Sequence, residues 1–179
     1  MINVTKRSGK LEQFNEEKIN LCVLRTCEDL EDVDDKQVVM NAKITLYDGV
    51  KTTEIDDALI KSARSLIERE PNYRYVAARL LLGTIYKEVF GESVDSDAFQ
   101  LQYKKTFIVN IKKLIKAGIV SKELQKFDLT ELSDYIKIGR DKKFTYLGLQ
   151  TVYDRYLMHI NDMRMEAPQA FWMRLAGRQ

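Results

Sequence analysis

An α+β fold is predicted, in which a small β-hairpin and a short third strand cap a helical bundle and a mostly helical segment follows. Three observations carry that reading. Ile2 and Val4 alternate with polar residues ahead of a glycine turn, apolar residues then recur at helical spacing over most of the chain, and one polar stretch interrupts the pattern near the middle. With 179 residues, 45% of them hydrophobic, the chain is long enough for one ordinary domain or two small ones.

In order, Arg7-Ser8-Gly9-Lys10 supplies the hairpin turn and Leu11 to Phe14 the second extended stretch. Asn15 is a good N-cap for a first helix, with Glu16 and Glu17 in its first turn and Ile19, Cys22, Val23, Cys27 and Leu30 as its stripe. A second helix is predicted over Lys36 to Leu46, with Val38, Val39, Ala42 and Leu46 as its apolar stripe, stopped by Tyr47-Asp48-Gly49. Val50 and Lys51 make a short strand. Thr52 or Thr53 caps a third helix carrying Ile55, Leu59, Ala63, Leu66 and Ile67, ended by Pro71. A fourth runs from Asn72 to Phe90 and is closed by Gly91.

Glu92-Ser93-Val94-Asp95-Ser96-Asp97 reads as a linker, which divides the chain into residues 1–92 and 93–179. Beyond it, helices are predicted over Ala98 to Ala117, Ser121 to Phe127, Thr130 to Ile136, Thr145 to Met158, and from Pro168, a residue favoured in the first helical turn. Phe171, Trp172, Met173 and Leu175 form an apolar run near the end of the chain, which reads as part of something larger.

Composition excludes several classes. No run of about 18 uncharged apolar residues is present and the amino end has no signal-peptide pattern, so a cytoplasmic protein without membrane attachment is expected. Cys22 and Cys27 lie five residues apart on one helix, about 140° around its axis, and are expected to be unpaired, buried apolar side chains. With one histidine, neither a zinc site nor a nucleophile–base arrangement is credible, and no protein metal ligand or redox cofactor is expected. The net charge of +2 demands no polyanionic partner, and the local basic excess from Lys104 to Lys143 reads as solvated helix faces rather than a nucleic-acid surface.

Nucleotide fingerprints of the P-loop and Rossmann types are absent. A phosphate cradle is conceivable where Lys6 and Arg7 close the first strand and Lys18 sits in the first turn of the helix capped by Asn15, since cations there reinforce the anion preference of a helix N-terminus.

The run Val4-Thr5-Lys6-Arg7-Ser8-Gly9-Lys10-Leu11-Glu12-Gln13-Phe14-Asn15-Glu16-Glu17-Lys18-Ile19 closely resembles the opening of an ATP-cone. Tyr47 to Thr52, Pro71 to Leu80, and Lys87 before Phe90-Gly91 follow in register, so the resemblance covers about the first half. Phe144 to Leu157 and Glu166 to Arg174 look like the helical region after the cone in large subunits of class I, aerobic ribonucleotide reductases.

The resemblance implies an allosteric activity module that binds ATP as activator and dATP as inhibitor, with Mg2+ accompanying the nucleotide. Lys6, Arg7, Glu12, Gln13, Phe14, Asn15, Glu16, Glu17, Lys18, Ile19, Thr52 and Lys87 would line the effector site. Some family members have a histidine where Asp56 stands. The implied partners are the rest of the large subunit, with the catalytic cysteines this stretch lacks, and the radical-generating small subunit, in an effector-controlled oligomer. By itself the stretch is expected to be inactive. The alternative is a free-standing cone that regulates transcription by binding DNA through the basic segment, although the paired CxxC motifs of such repressors do not precede Val4.

Overall fold

The computed structural model describes residues 3–91 and 96–176, so residues 92–95 of the expected linker lie outside the described residues, as does Ile2. The chain divides into two compact units, Met1–Thr84 with Phe144–Leu147, and Ile85–Lys143 with Gly148–Gln179.

In the first unit, β1 (Asn3–Thr5) pairs antiparallel with β2 (Leu11–Gln13), with Val4 opposite Glu12. Lys6 N–H donates to Lys10 O and Gly9 N–H to Lys6 O, both at 2.9 Å, and Gly9 takes φ +81°, a conformation that glycine adopts without a Cβ clash. β3 (Val50–Lys51) lies parallel to β1 on its other side, giving the order β2-β1-β3. The return from β1 to β3 passes through two helices, as a parallel pair requires a long crossover.

Those helices are α1 (Glu16–Cys27) and α2 (Asp35–Lys43). Asn15 caps α1, accepting from Lys18 N–H at 3.1 Å, and Asp34 caps α2, accepting from Lys36 N–H at 2.9 Å. At the far end of α1, the Arg79 guanidinium donates to Thr26 O and Glu28 O, so its last carbonyls are satisfied. α2 ends three residues earlier than the apolar pattern suggested, because Thr45 and Leu46 tighten into turns on Ala42 and Lys43.

α3 (Thr52–Ser65) buries Ile55, Leu59 and Ala63 as predicted. Its start differs: neither threonine caps it, and instead Glu54 reaches back to accept from Lys51 N–H at 2.9 Å. Ser62 of α3 donates to Val38 O of α2 at 2.8 Å, and Ala42 and Ala63 are buried on the two helices. α4 (Tyr73–Phe90) packs Val76, Ala77 and Leu80 into the same core, continues into the second unit, and stops at Gly91 with φ +90°.

Cys22 is exposed and Cys27 half-buried, which corrects the expectation that both are buried. The buried line of α1 runs through Val23 and Thr26, leaving the two cysteines on opposite flanks of it. Neither forms a disulfide, and burial pushes the Cys27 thiol up to about 11.

The second unit is built around α5 (Ser96–Lys116), whose Phe99 and Tyr103 meet Tyr86 and Phe90 in an aromatic cluster with centroids 4.7 to 6.0 Å apart. A short 3-10 turn (Lys122–Lys126) and α6 (Leu129–Asp134) follow, capped by Ser121 and Asp128. Two elements escaped the sequence reading: α7 (Ile138–Asp141), and a hairpin of β4 (His159–Ile160) and β5 (Met163–Arg164) whose turn places Asn161 at φ +53°. α8 (Tyr146–Arg155) and α9 (Pro168–Ala176) complete the chain.

Phe171 is buried in this unit, Met173 and Leu175 are half-buried and Trp172 is half exposed, so the apolar run of α9 is covered here only in part. The Arg164 guanidinium stacks 3.8 Å over the Tyr153 ring and donates to Glu88 Oε2 at 2.8 Å, while Tyr153 OH donates to Glu88 Oε1 at 3.0 Å. This fixes the β4–β5 hairpin to the end of α4.

Candidate functional site

Hairpin and helix register gather the charged residues of the amino end. Lys6 and Arg7 follow β1 directly, Glu12 sits on β2 opposite Val4, and Lys18 is one turn into α1. Lys18 Nζ donates to Glu12 Oε1 at 2.7 Å and Lys6 Nζ lies 3.6 Å from Glu12 Oε2, so one carboxylate holds two ammonium groups. The hydrogen bond and charge of Lys18, followed by the charge of Lys6, hold the Glu12 carboxyl below its ordinary range.

Arg7 turns the other way, toward α3, where its Nη2 lies 3.7 Å from Asp56 Oδ2. Thr52 begins α3 one turn before Asp56 and is half-buried. Asn15 has its side-chain oxygen committed to the cap of α1. Glu16 forms an ion pair with Lys43 of α2. Gln13 and Glu17 are exposed, and Phe14 and Ile19 are half-buried. Lys87, half-buried on α4, belongs to the second unit.

Beside this cluster, Glu54 ties the start of α3 to the turn before β3, accepting from Tyr47 OH at 3.0 Å as well as from Lys51 N–H. The Lys51 amide lowers the Glu54 carboxyl, and the bond to Glu54 raises the Tyr47 phenol. Asp48 and Gly49 fasten β3 to β1: Asn3 N–H donates to Asp48 Oδ1 at 2.7 Å and Thr5 Oγ1 to Gly49 O at 2.9 Å. The hairpin turn carrying Lys6 and Arg7 thus hangs on a three-stranded sheet, itself fixed to the N-terminal end of α3.

The donor set suits a polyanion. Lys6, Arg7 and Lys18 present point charges and a planar fork, the forms of cation that phosphate groups bond best. Glu12 adds an acceptor that fits the amino group of a base or a sugar hydroxyl, and the Asn15 side-chain amide keeps its NH2 as a donor. Among the described residues no group of three or more His, Cys, Asp or Glu side chains is arranged to hold a metal ion.

Sequence reasoning missed the partners of these cations. Nothing in the spacing signals that Arg7 faces Asp56, a pair joined across the folded crossover, or that Glu16 faces Lys43, a pair between the two helices of that crossover. It also missed Asp141, which reads in sequence as one acid within a basic segment. In the structure it is buried, accepts from Tyr86 OH at 2.6 Å, and has no partner for Oδ1 among the described residues. Burial raises its carboxyl to about 6.

Comparison with known proteins agrees with both halves of the chain. The ATP cone domain model matches residues 2–88, and the model of the ribonucleotide reductase all-alpha domain matches residues 142–178. The ribonucleoside-diphosphate reductase subunit alpha of Chlamydia trachomatis is 34% identical over 180 residues, covering 98% of this chain and 17% of that protein. The subunit of the same name from Helicobacter pylori is 34% identical over 178 residues, covering 98% of this chain and 22% of the relative. Ribonucleoside-diphosphate reductase 1 subunit alpha of Salmonella typhimurium is 31% identical over 161 residues. The chain spans about a fifth of the length of these relatives.

No finding supports the alternative of a DNA-binding regulator, since the residues following the cone match a reductase domain and the relatives are reductase subunits. An ATP-cone followed by a match to the all-alpha domain, in relatives aligned along nearly the whole of it, places the chain in the ribonucleotide reductase alpha-subunit family.

Proposed function

We propose that the first unit is the activity-controlling effector site of a class I ribonucleoside-diphosphate reductase, taking ATP as activator and dATP as inhibitor of deoxyribonucleotide synthesis. The observation that carries this reading is the Lys6–Glu12–Lys18 cluster with Arg7 beside it, held by the hairpin and the first turn of α1. Lys6, Arg7 and Lys18 would bind the triphosphate, Glu12, Asn15 and the stretch around them the base and sugar, and Thr52 the phosphates or ribose by its hydroxyl. The family resemblance also assigns Lys87 to the effector, and its replacement is a separate arm of the test. Mg2+, carried by the phosphates, would supply charge neutralisation.

The reading assigns residues 1–92 to the cone and 93–179 to the helical region, with the remainder of the large subunit and the radical-generating small subunit as partners in the cytoplasm. Control requires that the two nucleotides favour different assemblies, because a ligand that binds two states equally shifts neither. ATP and dATP differ only at the ribose 2′ position, so discrimination must arise from contacts near the sugar.

Isothermal calorimetry with MgATP, MgdATP and inorganic triphosphate tests the proposal. Binding of both adenine nucleotides, with triphosphate alone weaker, is the expected result. Absence of heat with either nucleotide at millimolar concentration contradicts it.

A further inference from the structure

The last turns of α4 set an acid beside a lysine. Lys87 and Glu88 are successive residues about 100° apart around the helix, so a charge on one is felt at the other within a Debye length of about 10 Å. The nucleotide reading counts Lys87 among the effector residues. An unengaged carboxylate next to it would compete with phosphate for that cation and repel the triphosphate.

In the structure both Glu88 oxygens are committed elsewhere. Arg164 Nε donates to Oε2 at 2.8 Å, and Tyr153 OH donates to Oε1 at 3.0 Å. Arg164 is itself held in place. Its Nη1 donates to Tyr153 O at 2.9 Å, its guanidinium lies over the Tyr153 ring, and its side chain is 10% accessible against 26% for Glu88. A cation so enclosed is screened little by salt, and it cancels the charge of Glu88 where it stands.

The helix does not depend on this pair for its own position. Tyr86, about 200° from Glu88 around α4, donates to the buried Asp141 at 2.6 Å, and Phe90 packs against Phe99 and Tyr103. Loss of Arg164 would therefore release the Glu88 carboxylate rather than shift the turn that carries Lys87.

Resting on the nucleotide reading above, we infer that Arg164 is a positioning residue of the effector site, which holds the Glu88 carboxylate away from Lys87 and neutralises it. The β4–β5 hairpin then contributes to nucleotide affinity without touching the nucleotide.

Calorimetry on the full chain with MgATP, MgdATP and inorganic triphosphate tests this. Arg164→Gln should weaken all three by roughly three- to tenfold, because an uncancelled carboxylate acts on the phosphates they share, and the loss should shrink at high salt. Adding Glu88→Gln should restore affinity to within about twofold of the wild type, since the anion that Arg164 cancels is then gone. Glu88→Gln alone keeps an acceptor for Arg164 and should tighten binding by about threefold, and it carries the test if circular dichroism shows the arginine variant unfolded. A purely structural hairpin gives a different pattern, with equal losses in Arg164→Gln and the double variant. That pattern, or wild-type affinity in either single variant, overturns the inference and leaves the nucleotide reading standing on Lys6 and Lys18. A wild type that binds neither nucleotide overturns both.

Discussion

Arg174 and Glu166 form a bidentate pair inside the second unit, with Nε donating to Oε1 at 2.5 Å and Nη2 to Oε2 at 3.1 Å, and with 5% and 1% of the two side chains accessible. The same carboxylate accepts from Met158 N–H at 3.1 Å, and the same guanidinium donates to Tyr156 O at 3.3 Å. The pair therefore joins α9 to the segment on either side of the β4–β5 hairpin. Removing one partner strands a buried charge, whereas replacing both with apolar groups does not. Arg174→Met is expected to cost about 3 to 5 kcal/mol in urea denaturation of the chain, and Glu166→Leu with Arg174→Met to recover much of that loss. A single variant as stable as the wild type contradicts the assignment.

Asp141 gives the second unit a pH signature. Its carboxyl is raised from 3.8 to about 6 by burial, and the groups around it are the neutral phenols of Tyr86 and Tyr103, themselves pushed well above their ordinary range, and the amide of Gln169. Between pH 4 and pH 6 the folded chain keeps a proton that the unfolded chain releases, so stability falls as pH rises through this window. The full difference is about 3 kcal/mol. Asp141→Asn still accepts from Tyr86 OH and does not titrate, so above pH 6 it should be the more stable protein by about 1 to 3 kcal/mol, with the gap closing toward pH 4. The difference between the two melting curves across pH reads this, because carboxyls lowered by cations, such as Glu12 and Asp134, titrate alike in both.

Gly9 links stability to the effector site. Its φ of +81° is needed for the turn that presents Lys6 and Arg7, and a Cβ there would meet open space, so the cost of Gly9→Ala is conformational only. The expected loss is about 1 kcal/mol. Because the turn must shift to relieve it, nucleotide affinity should fall as well. Loss of stability with affinity intact would show that the turn geometry does not position the cations.

Much of this fold was legible because its signals are local. Asn15 before Glu16 and Glu17, Gly9 in the hairpin turn, Gly91 after its helix and Pro168 at the start of α9 each act within a few residues, and each stands where it was expected. The cap of α3 was misjudged because Glu54 competes with the threonines for the same amides. The β4–β5 hairpin was missed because its strands are two residues each and rest on the distant pairing of Arg164 with Glu88. In the candidate site, Lys6, Arg7 and Lys18 could be read from the chain, while the facing of Arg7 and Asp56 depends on a parallel strand pair that no local pattern announces.

The central claim is that the cone's cations bind a triphosphate, and calorimetry with ATP and dATP on Lys6→Ala, Lys18→Ala and Lys113→Ala tests it most directly, with Lys87→Ala as the additional arm. Each charge-assisted contact contributes on the order of 1.5 to 3 kcal/mol, so each loss in the cone should weaken both nucleotides together by roughly ten- to a hundredfold. Lys113 is exposed on α5 and its replacement should leave both affinities unchanged. Unaltered affinity in the Lys6 and Lys18 variants, or an equal loss in the Lys113 variant, would contradict the account.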